Sequence, residues 1–389
     1  MIALPPPGAP LPHAVSDRPF DPRTEAEPRP GGPLADASQL RVMWWKFRRH
    51  RVAVLSAGFL LLVYLVAALA EFVAPYDLHS RDIASIHAPP QRVHLFHEGQ
   101  LIGPFVYPRS MTLDLDNLRR VYAEDRSRPQ RLRWLCTGDP YLAWGALPGR
   151  RHLFCPPEGG TAYLLGTDRL GRDILSRIIH GARISLTIGL LGVTTSLLLG
   201  VVLGGIAGYY GGWVDAAVQR LIEVLQSIPS IPLWMALAAI MPLSWSPLLV
   251  YAGITVILGL LDWTGLARAV RSKLMALREE DYVQAARILG ASPRRIIARH
   301  LVPGFASHLL ASATLTVPGM ILGETALSFL GLGLRAPVTS WGTLLTEARN
   351  VNALALHPWL LFPVLPVVLV VLAFNFLGDG LRDAADPLR

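Results

Sequence analysis

The chain has 389 residues, is 52% hydrophobic and only 16% charged, and carries a formal net charge of +8, with a mean hydropathy of +0.39. A soluble domain carries nearer a quarter charged residues, so much of this surface cannot face water. The basic excess reads as the cytoplasmic ends of membrane spans and not as a nucleic-acid face, since no RNA- or DNA-binding motif accompanies it.

Residues 1–38 are Pro-rich with scattered Asp, Glu and Arg and contain no apolar run. Such a stretch cannot bury enough surface to offset its chain entropy, so a disordered cytoplasmic tail is expected and not a signal peptide. Residues 39–75 hold an N-terminal amphipathic segment and the first charge-free window, Val52–Ala70, which is long enough to cross a bilayer. Arg41, Lys46, Arg48, Arg49 and Arg51 precede it, with Trp44 and Trp45 as interfacial anchors. That bias puts the N-terminus in the cytoplasm.

Residues 76–181 then form an extracytoplasmic insert. It lacks a long apolar run and mixes charges, aromatics and prolines, as in Leu95-Phe96-His97 and Pro104-Phe105-Val106-Tyr107-Pro108. A small β-rich domain is expected. His87, His94 and His97 lack a fourth ligand at sensible spacing, so they read as scattered surface histidines and no metal site is expected. Cys136 and Cys155 exclude a multi-thiol metal site. With 18 residues between them in an oxidising compartment, they suit one disulfide.

Residues 182–380 make up the core, with five more spans. The second runs from Ile184 to Val214, and Gly200, Gly204 and Gly208 form a smooth stripe on it. The stripe lets another helix approach closely, either within this chain or on a partner chain. The window Val224–Leu261 is interrupted by Pro242, Ser244, Trp245, Ser246 and Pro247, so it reads as two helices and a tight turn. The fifth span covers about Gly304–Gly323 and the sixth about Trp359–Gly378, leaving a cytoplasmic tail at 381–389. The fold class is therefore an all-α integral membrane protein of six transmembrane helices with a mixed insert between the first two. Glu71, Glu223, Asp262 and Glu324 lie near or within spans and are candidate substrate contacts, because an unpaired charge in lipid is costly. Snorkelling to the span end or pairing with a residue such as Arg220 is the plainer alternative. On this reading each sits near a span end and no carboxylate lies mid-span.

Between the fourth and fifth spans, Asp262–Pro303 is cytoplasmic and basic, holding Arg268, Arg271, Lys273, Arg278, Arg287, Arg294, Arg295 and Arg299. Its part 276–303 reads as a short helix–turn–helix. Tyr282, Ala285, Ala286 and Leu289 share one helical face, and Gly290 suits a left-handed cap. Ser292 is a good N-cap with Pro293 at the first helical position, and Pro303 closes the second helix after Leu301. Ala285 and Ala286 leave room for something to seat against the first helix. Periodicity alone leaves an inert surface hairpin open as well.

Gln284-Ala285-Ala286, Gly290 and His300-Leu301-Val302-Pro303 resemble the EAA loop of binding-protein-dependent ABC importer permeases. That motif reads Glu-Ala-Ala, three residues, Gly, and nine residues before an Ile-x-Leu-Pro ending. The spacing matches at Ala285, Ala286, Gly290 and Pro303. Gln284 stands for the Glu, His300 for the Ile and Val302 for the Leu, so the charge at the first position is missing. Further motifs flank the loop: Gly166-Thr167-Asp168-Arg169-Leu170-Gly171-Arg172-Asp173, Gly181-Ala182-Arg183-Ile184-Ser185-Leu186, and Glu324-Thr325-Ala326-Leu327-Ser328-Phe329-Leu330-Gly331-Leu332-Gly333. Ser340-Trp341-Gly342 and Asn375-Phe376-Leu377-Gly378-Asp379-Gly380-Leu381-Arg382-Asp383 complete the set. Together they are similar to the second permease subunit of dipeptide and oligopeptide importers, over about 40–75 and 160–389.

The resemblance implies a type I ABC importer permease in the cell inner (plasma) membrane, with both termini cytoplasmic. Tyr282, Gln284, Ala285, Ala286, Gly290, Ser292, Pro293 and Pro303 would form the coupling loop that seats in an ATPase. Glu324, Ser328 and Phe329 become candidate pathway or gate residues. The implied partners are a homologous second permease, two cytoplasmic ATPase subunits, an extracytoplasmic substrate-binding protein, the lipid bilayer and a peptide substrate, with no nucleic acid. ATP and Mg would sit on the ATPase subunits and no cofactor on this chain, which has no phosphate-binding loop ending in Gly-Lys-Ser or Gly-Lys-Thr. An ion-driven secondary transporter and a membrane-embedded enzyme are the competing classes. Neither an ion relay nor a paired catalytic set is visible in the spans.

Overall fold

The computed structural model describes residues 39–116, 119–242 and 244–385. The expected tail 1–38 and the last four residues of the expected C-terminal tail lie outside the described residues. Helix α1 (Gln39–Arg49) passes through His50 into α2 (Arg51–Ala68), where His50 Nδ1 accepts the Ala53 N–H at 3.1 Å. A short α3 (Ala70–Val73) follows the break at Leu69.

The insert is built from antiparallel strands: β1 (His94–His97), β2 (Gln100–Val106), β3 (Arg109–Asp114), β4 (Arg119–Glu124), β5 (Gln130–Arg131), β6 (Arg133–Ala143) and β7 (Leu147–Cys155). One sheet has the order β1-β2-β5, while β3-β4 and β6-β7 form separate hairpins. Cys136 and Cys155 are disulfide-bonded across β6 and β7 with their Cα atoms 6.2 Å apart. His152, opposite Cys136, faces the carbonyl of Ala74 at 3.1 Å and that of Asp139 at 3.0 Å, which ties the hairpin to the end of α3. At its tip, Trp144 donates its indole N–H to the Ala68 carbonyl at 3.0 Å. The Arg183 guanidinium lies 4.0 Å above the same ring. The insert is thus fastened to the end of the first span.

Helix α4 (Ile174–Tyr210) has 37 residues and begins ahead of the expected start at Ile184, inside the range expected for the insert. Asp173 caps it, accepting the Ser176 N–H at 2.7 Å. Its early turns escape a search for apolar windows because they carry Arg177 and Arg183. Both are paired at once, with Asp168 and with Glu71.

Gly211, at φ +66°, ends α4. Helices α5 (Gly212–Ser227) and α6 (Ser230–Ala239) then meet at a bend of 87°. The expected single helix from Val224 is therefore broken. Ile228 precedes Pro229, and the clash of a proline ring with the residue before it pushes that residue into extended backbone. Helix α7 (Pro247–Leu277) starts with Ser246 as N-cap and Pro247 at N1, and it runs well beyond the expected end at Leu261. Asp262 therefore lies mid-helix, which corrects the reading that no carboxylate does. Short helices α8 (Asp281–Ile288), α9 (Pro293–Arg295) and α10 (Val302–Gly304) form the loop that leads into α11 (Ala306–Phe329). Then come α12 (Trp341–Leu345), α13 (Val351–Leu356) and α14 (Val364–Ala385). Among the described residues, five helices are long and apolar enough to span a membrane, and six if the bent pair α5–α6 is counted as one broken span.

Helix α4 sits at the centre, against α7, α11 and α2, and its buried face includes Leu186 and Ile188. Hydrocarbon gives apolar helices no drive to associate, so close backbone approach must supply the packing. The glycine stripe provides it within this chain. A Cβ on Gly208 would lie 2.8 Å from the Arg271 carbonyl oxygen, and one on Gly200 3.0 Å from the Leu266 Cβ, both on α7.

At the insert end of the bundle, His87 and His357 stack with ring centroids 4.1 Å apart. Burial first, then His87 and Arg119, holds the His357 pKa down to about 4. An unfolded histidine titrates near about 6.5, so between these values the unfolded chain binds the extra proton and the folded chain does not. The neutral ring's contribution to stability is complete above the upper value and is lost as pH falls through the lower one. Thermal unfolding followed from about pH 7 down to about pH 4 is expected to show this acid-side loss in the unsubstituted protein and less of it in His357→Phe. An identical slope in both would remove His357 from the account.

Candidate functional site

The loop between α7 and α11 is folded tightly beneath the bundle. Gly290 takes φ +78° just after α8. The Ala291 N–H reaches the Ala286 carbonyl at 3.0 Å and the Gly290 N–H reaches that of Arg287 at 2.9 Å. This pair of bonds satisfies two otherwise orphaned carbonyls and needs a left-handed residue at position 290. Ser292 Oγ accepts the Arg295 N–H at 3.4 Å and Pro293 opens α9.

The second helix departs from the expected regular form. Ile296–Leu301 is a π-turn, and Pro303 lies inside α10, so the break falls at Phe305 (φ −129°, ψ 23°) and not at Pro303. Proline has no N–H for the carbonyl four residues back, so the hydrogen-bond ladder must shift before it.

The expected shared face of α8 divides. Val283 is fully buried against the bundle and Ala286 packs partly beside it. Tyr282, Ala285 and Leu289 face outward together with Ile288, and Ile288 and Leu289 are each 86% exposed. Two large apolar side chains at the tip of a basic loop form a surface that water does not favour. The loop is also pinned at its root. Gln284 Nε2 donates to the Arg278 carbonyl at 3.2 Å, a bond that a carboxylate at this position could not make. Arg278 reaches the carbonyls of Gly208 and Tyr209, both at 3.3 Å, and Arg287 donates to the Tyr209 hydroxyl at 3.3 Å. Both arginines thus hold the last turn of α4.

The four singled-out carboxylates have different surroundings. Glu71 forms a two-pronged pair with Arg183, at 2.8 and 2.7 Å. Glu223 pairs with Arg220 at 2.9 Å on an exposed face. Glu324 is fully buried and accepts from Ser185 (3.3 Å), Ser328 (2.8 Å) and Ser340 (2.6 Å). Each of those hydroxyls in turn accepts a backbone N–H, from Trp341, Leu334 and Thr343 respectively. The group ties α4, α11 and α12 together and presents no surface to a passing solute. Phe329 is half-buried at the end of α11. Asp262 has no hydrogen bond or ion pair among the described residues, and its carboxylate lies 3.9 Å from a Cβ built on Gly319 of α11.

Sequence alone assigns no structural role to Arg183 or Arg271, which read there only as a motif member and a basic loop residue. It holds no sign of Trp144, Tyr209 or the Asp215–Arg271 ion pair that joins α5 to α7. Charged residues inside otherwise apolar helices were the available signal for Arg183 and Arg271. Nothing in the spacing marks Trp144 or Tyr209.

Residues 200–389 match the family model described as binding-protein-dependent transport system inner membrane component. Residues 38–90 match the N-terminal TM domain of oligopeptide transport permease C. The chain is 43% identical over 224 residues to the dipeptide transport system permease protein of Alkalihalophilus pseudofirmus, covering 57% of this chain and 71% of that protein. It is 32% identical over 359 residues to the glutathione transport system permease protein of Shigella dysenteriae serotype 1, covering 91% of this chain and 94% of that protein. A weaker likeness in shape, with a TM-score of 0.42 and 20% identity, is to the inward-facing MetNI methionine ABC transporter, covering 54% of this chain and 97% of that one.

Proposed function

Because the chain belongs to the family of binding-protein-dependent transport system inner membrane components, we propose that it is one permease subunit of an ATP-driven importer of di- and oligopeptides. It forms the translocation pathway with a second, homologous permease. Two cytoplasmic ATPase subunits drive it, and an extracytoplasmic binding protein delivers the peptide. ATP and Mg bind on the ATPases, and this chain carries no ATPase site of its own. Both termini face the cytoplasm, which agrees with the basic residues around α1 and in the 276–303 loop.

The loop carries this reading. An exposed apolar tip, Ile288 and Leu289, projects from a capped helix whose root is bonded to the end of α4. A surface of that kind, held rigidly and left open, suits seating in a cleft of a motor subunit. Closure of the ATPase pair would then move α8 and, through Arg278 and Arg287, α4.

Purification of the chain from its native membrane in mild detergent is expected to bring ATPase subunits with it. Proteoliposomes holding the whole assembly are expected to take up peptide only with ATP inside. Uptake by the chain alone without ATP, and no ATPase in the purified material, would sink this reading.

A further inference from the structure

At the insert end of the bundle, the start of α4 and the chain from Gly331 to Asn350 enclose a cavity of about 480 Å³. Arg169, Arg172, Arg177 and Arg335 line it, and Glu347 is the one carboxylate among the described residues that does. Asp168 stands behind this wall, paired with Arg172 at 2.7 Å and with Arg177. Arg169 reaches Glu347 at 3.5 Å. Four guanidinium groups therefore face two carboxylates, and the cavity keeps an excess of positive charge.

Each of the four guanidinium groups keeps N–H donors beyond those it uses within the protein, and two of them stand out. Arg177 is only 7% exposed, yet its Nε–H has no partner among the described residues. A buried donor left unmade is costly, and burying a charged group with one is more so. The Arg335 guanidinium, at the exposed rim, makes no hydrogen bond or ion pair among the described residues, although the Arg335 carbonyl accepts the Val338 N–H at 3.1 Å. A guanidinium matches a carboxylate with two parallel N–H bonds, and it does so best where water is excluded. The remaining wall is polar and includes Thr339, Thr343, Thr346 and Asn350. The Thr343 and Thr346 hydroxyls and the Asn350 Oδ1 are already bonded to neighbouring backbone, which leaves the Asn350 amide N–H groups and Thr339 to face a ligand. The volume lies within the range of roughly 300–1,000 Å³ in which small-molecule sites fall.

We propose that this cavity is a binding site for the C-terminal carboxylate of a short peptide, with Arg177 at its floor and Arg335 at its rim as the charge partners. The inference rests on the peptide-importer reading and adds to it a station on this chain for the free carboxylate. An amidated peptide, which keeps the shape and loses the charge, is discriminated against here. The cavity is larger than one acidic side chain fills, which favours a peptide over a protruding residue of an external protein.

The test uses the full chain in lipid nanodiscs and reads thermal stabilisation by trialanine, trialanine amide and acetate at equal ionic strength. Trialanine is expected to bind about tenfold more tightly than either of the others, the scale of one charge-assisted hydrogen bond. Arg335→Ala is expected to weaken trialanine by about tenfold and to leave the unliganded melting temperature unchanged, because Arg335 is exposed and pairs with none of the described residues. Equal binding of trialanine and its amide overturns the proposal, as does an Arg335→Ala variant that binds normally. Acetate binding as tightly as trialanine makes it a bare-anion site and also overturns it. So does a variant that loses only the docking of the external binding protein. Trialanine uptake by the complete assembly is measured in parallel. Uptake without binding to this cavity removes the site and leaves the importer standing, whereas no uptake of any peptide removes the reading beneath it.

Discussion

Gly290→Val is expected to lower ATP-driven uptake by about tenfold or more while the protein still inserts in the membrane. Position 290 holds φ +78° with nothing within 4 Å of a built Cβ, so the obstacle is backbone strain and not crowding. An L-residue in the left-handed region costs roughly 1–2 kcal/mol, and a β-branched one is a true outlier there. Each 1.4 kcal/mol or so is a factor of about ten in the population of the capped loop. Loss of the cap breaks the paired bonds from Ala291 and Gly290 to α8 and turns Ile288 and Leu289 away from their seat. Gly290→Asn is the matched control, since asparagine tolerates this conformation, and it should keep most of the uptake. Wild-type retention of the ATPase subunits by the valine variant would show that the loop is not where they dock.

The second large effect concerns folding. Gly204→Val places its Cβ in overlap with the Ala267 carbonyl oxygen and 2.9 Å from the Ala267 Cα, both backbone atoms that cannot step aside. Overpacking typically costs about 1–3 kcal/mol, and a backbone clash between two central helices belongs at the upper end or beyond. The expected result is a collapse in the yield of monodisperse protein in detergent. Gly58→Val is the comparison, because Gly58 in α2 is exposed and its Cβ would meet nothing within 4 Å. If both variants purify alike, the α4–α7 approach is not what the glycine stripe serves.

The membrane architecture is legible because hydrocarbon removes charge from a span, which leaves windows such as Val52–Ala70 plain in the sequence. The reading fails where charges are paired inside the fold. Arg177 and Arg183 conceal the first turns of α4, since only the folded chain brings Asp168 and Glu71 to them. Asp262 reads as a span end for a related reason: a charge closes the window, although the helix continues to Leu277. The kink at Ile228 is signalled by Pro229 but outweighed by the richer turn at Pro242–Pro247. In the loop, Gly290, Ser292 and Pro293 supply the punctuation, because capping is local chemistry. The division of α8 into a buried Val283 and an outward Leu289 depends on which neighbour arrives, and no spacing states that.

Helix α4 has 37 residues without an internal break, a rod of roughly 55 Å at 1.5 Å per residue. The arginine-lined cavity grips one end, through Arg177, and Arg278 and Arg287 of the 276–303 loop hold the other. Such a rod works as a lever. A tilt of about 5° about its middle carries each tip through about 2 Å. That stroke is enough to make or break a hydrogen bond at either end, because such bonds fail within a fraction of an ångström beyond their normal length. If the importer reading holds, a push on the exposed tip of α8 would reach the far end of α4 through one solid part.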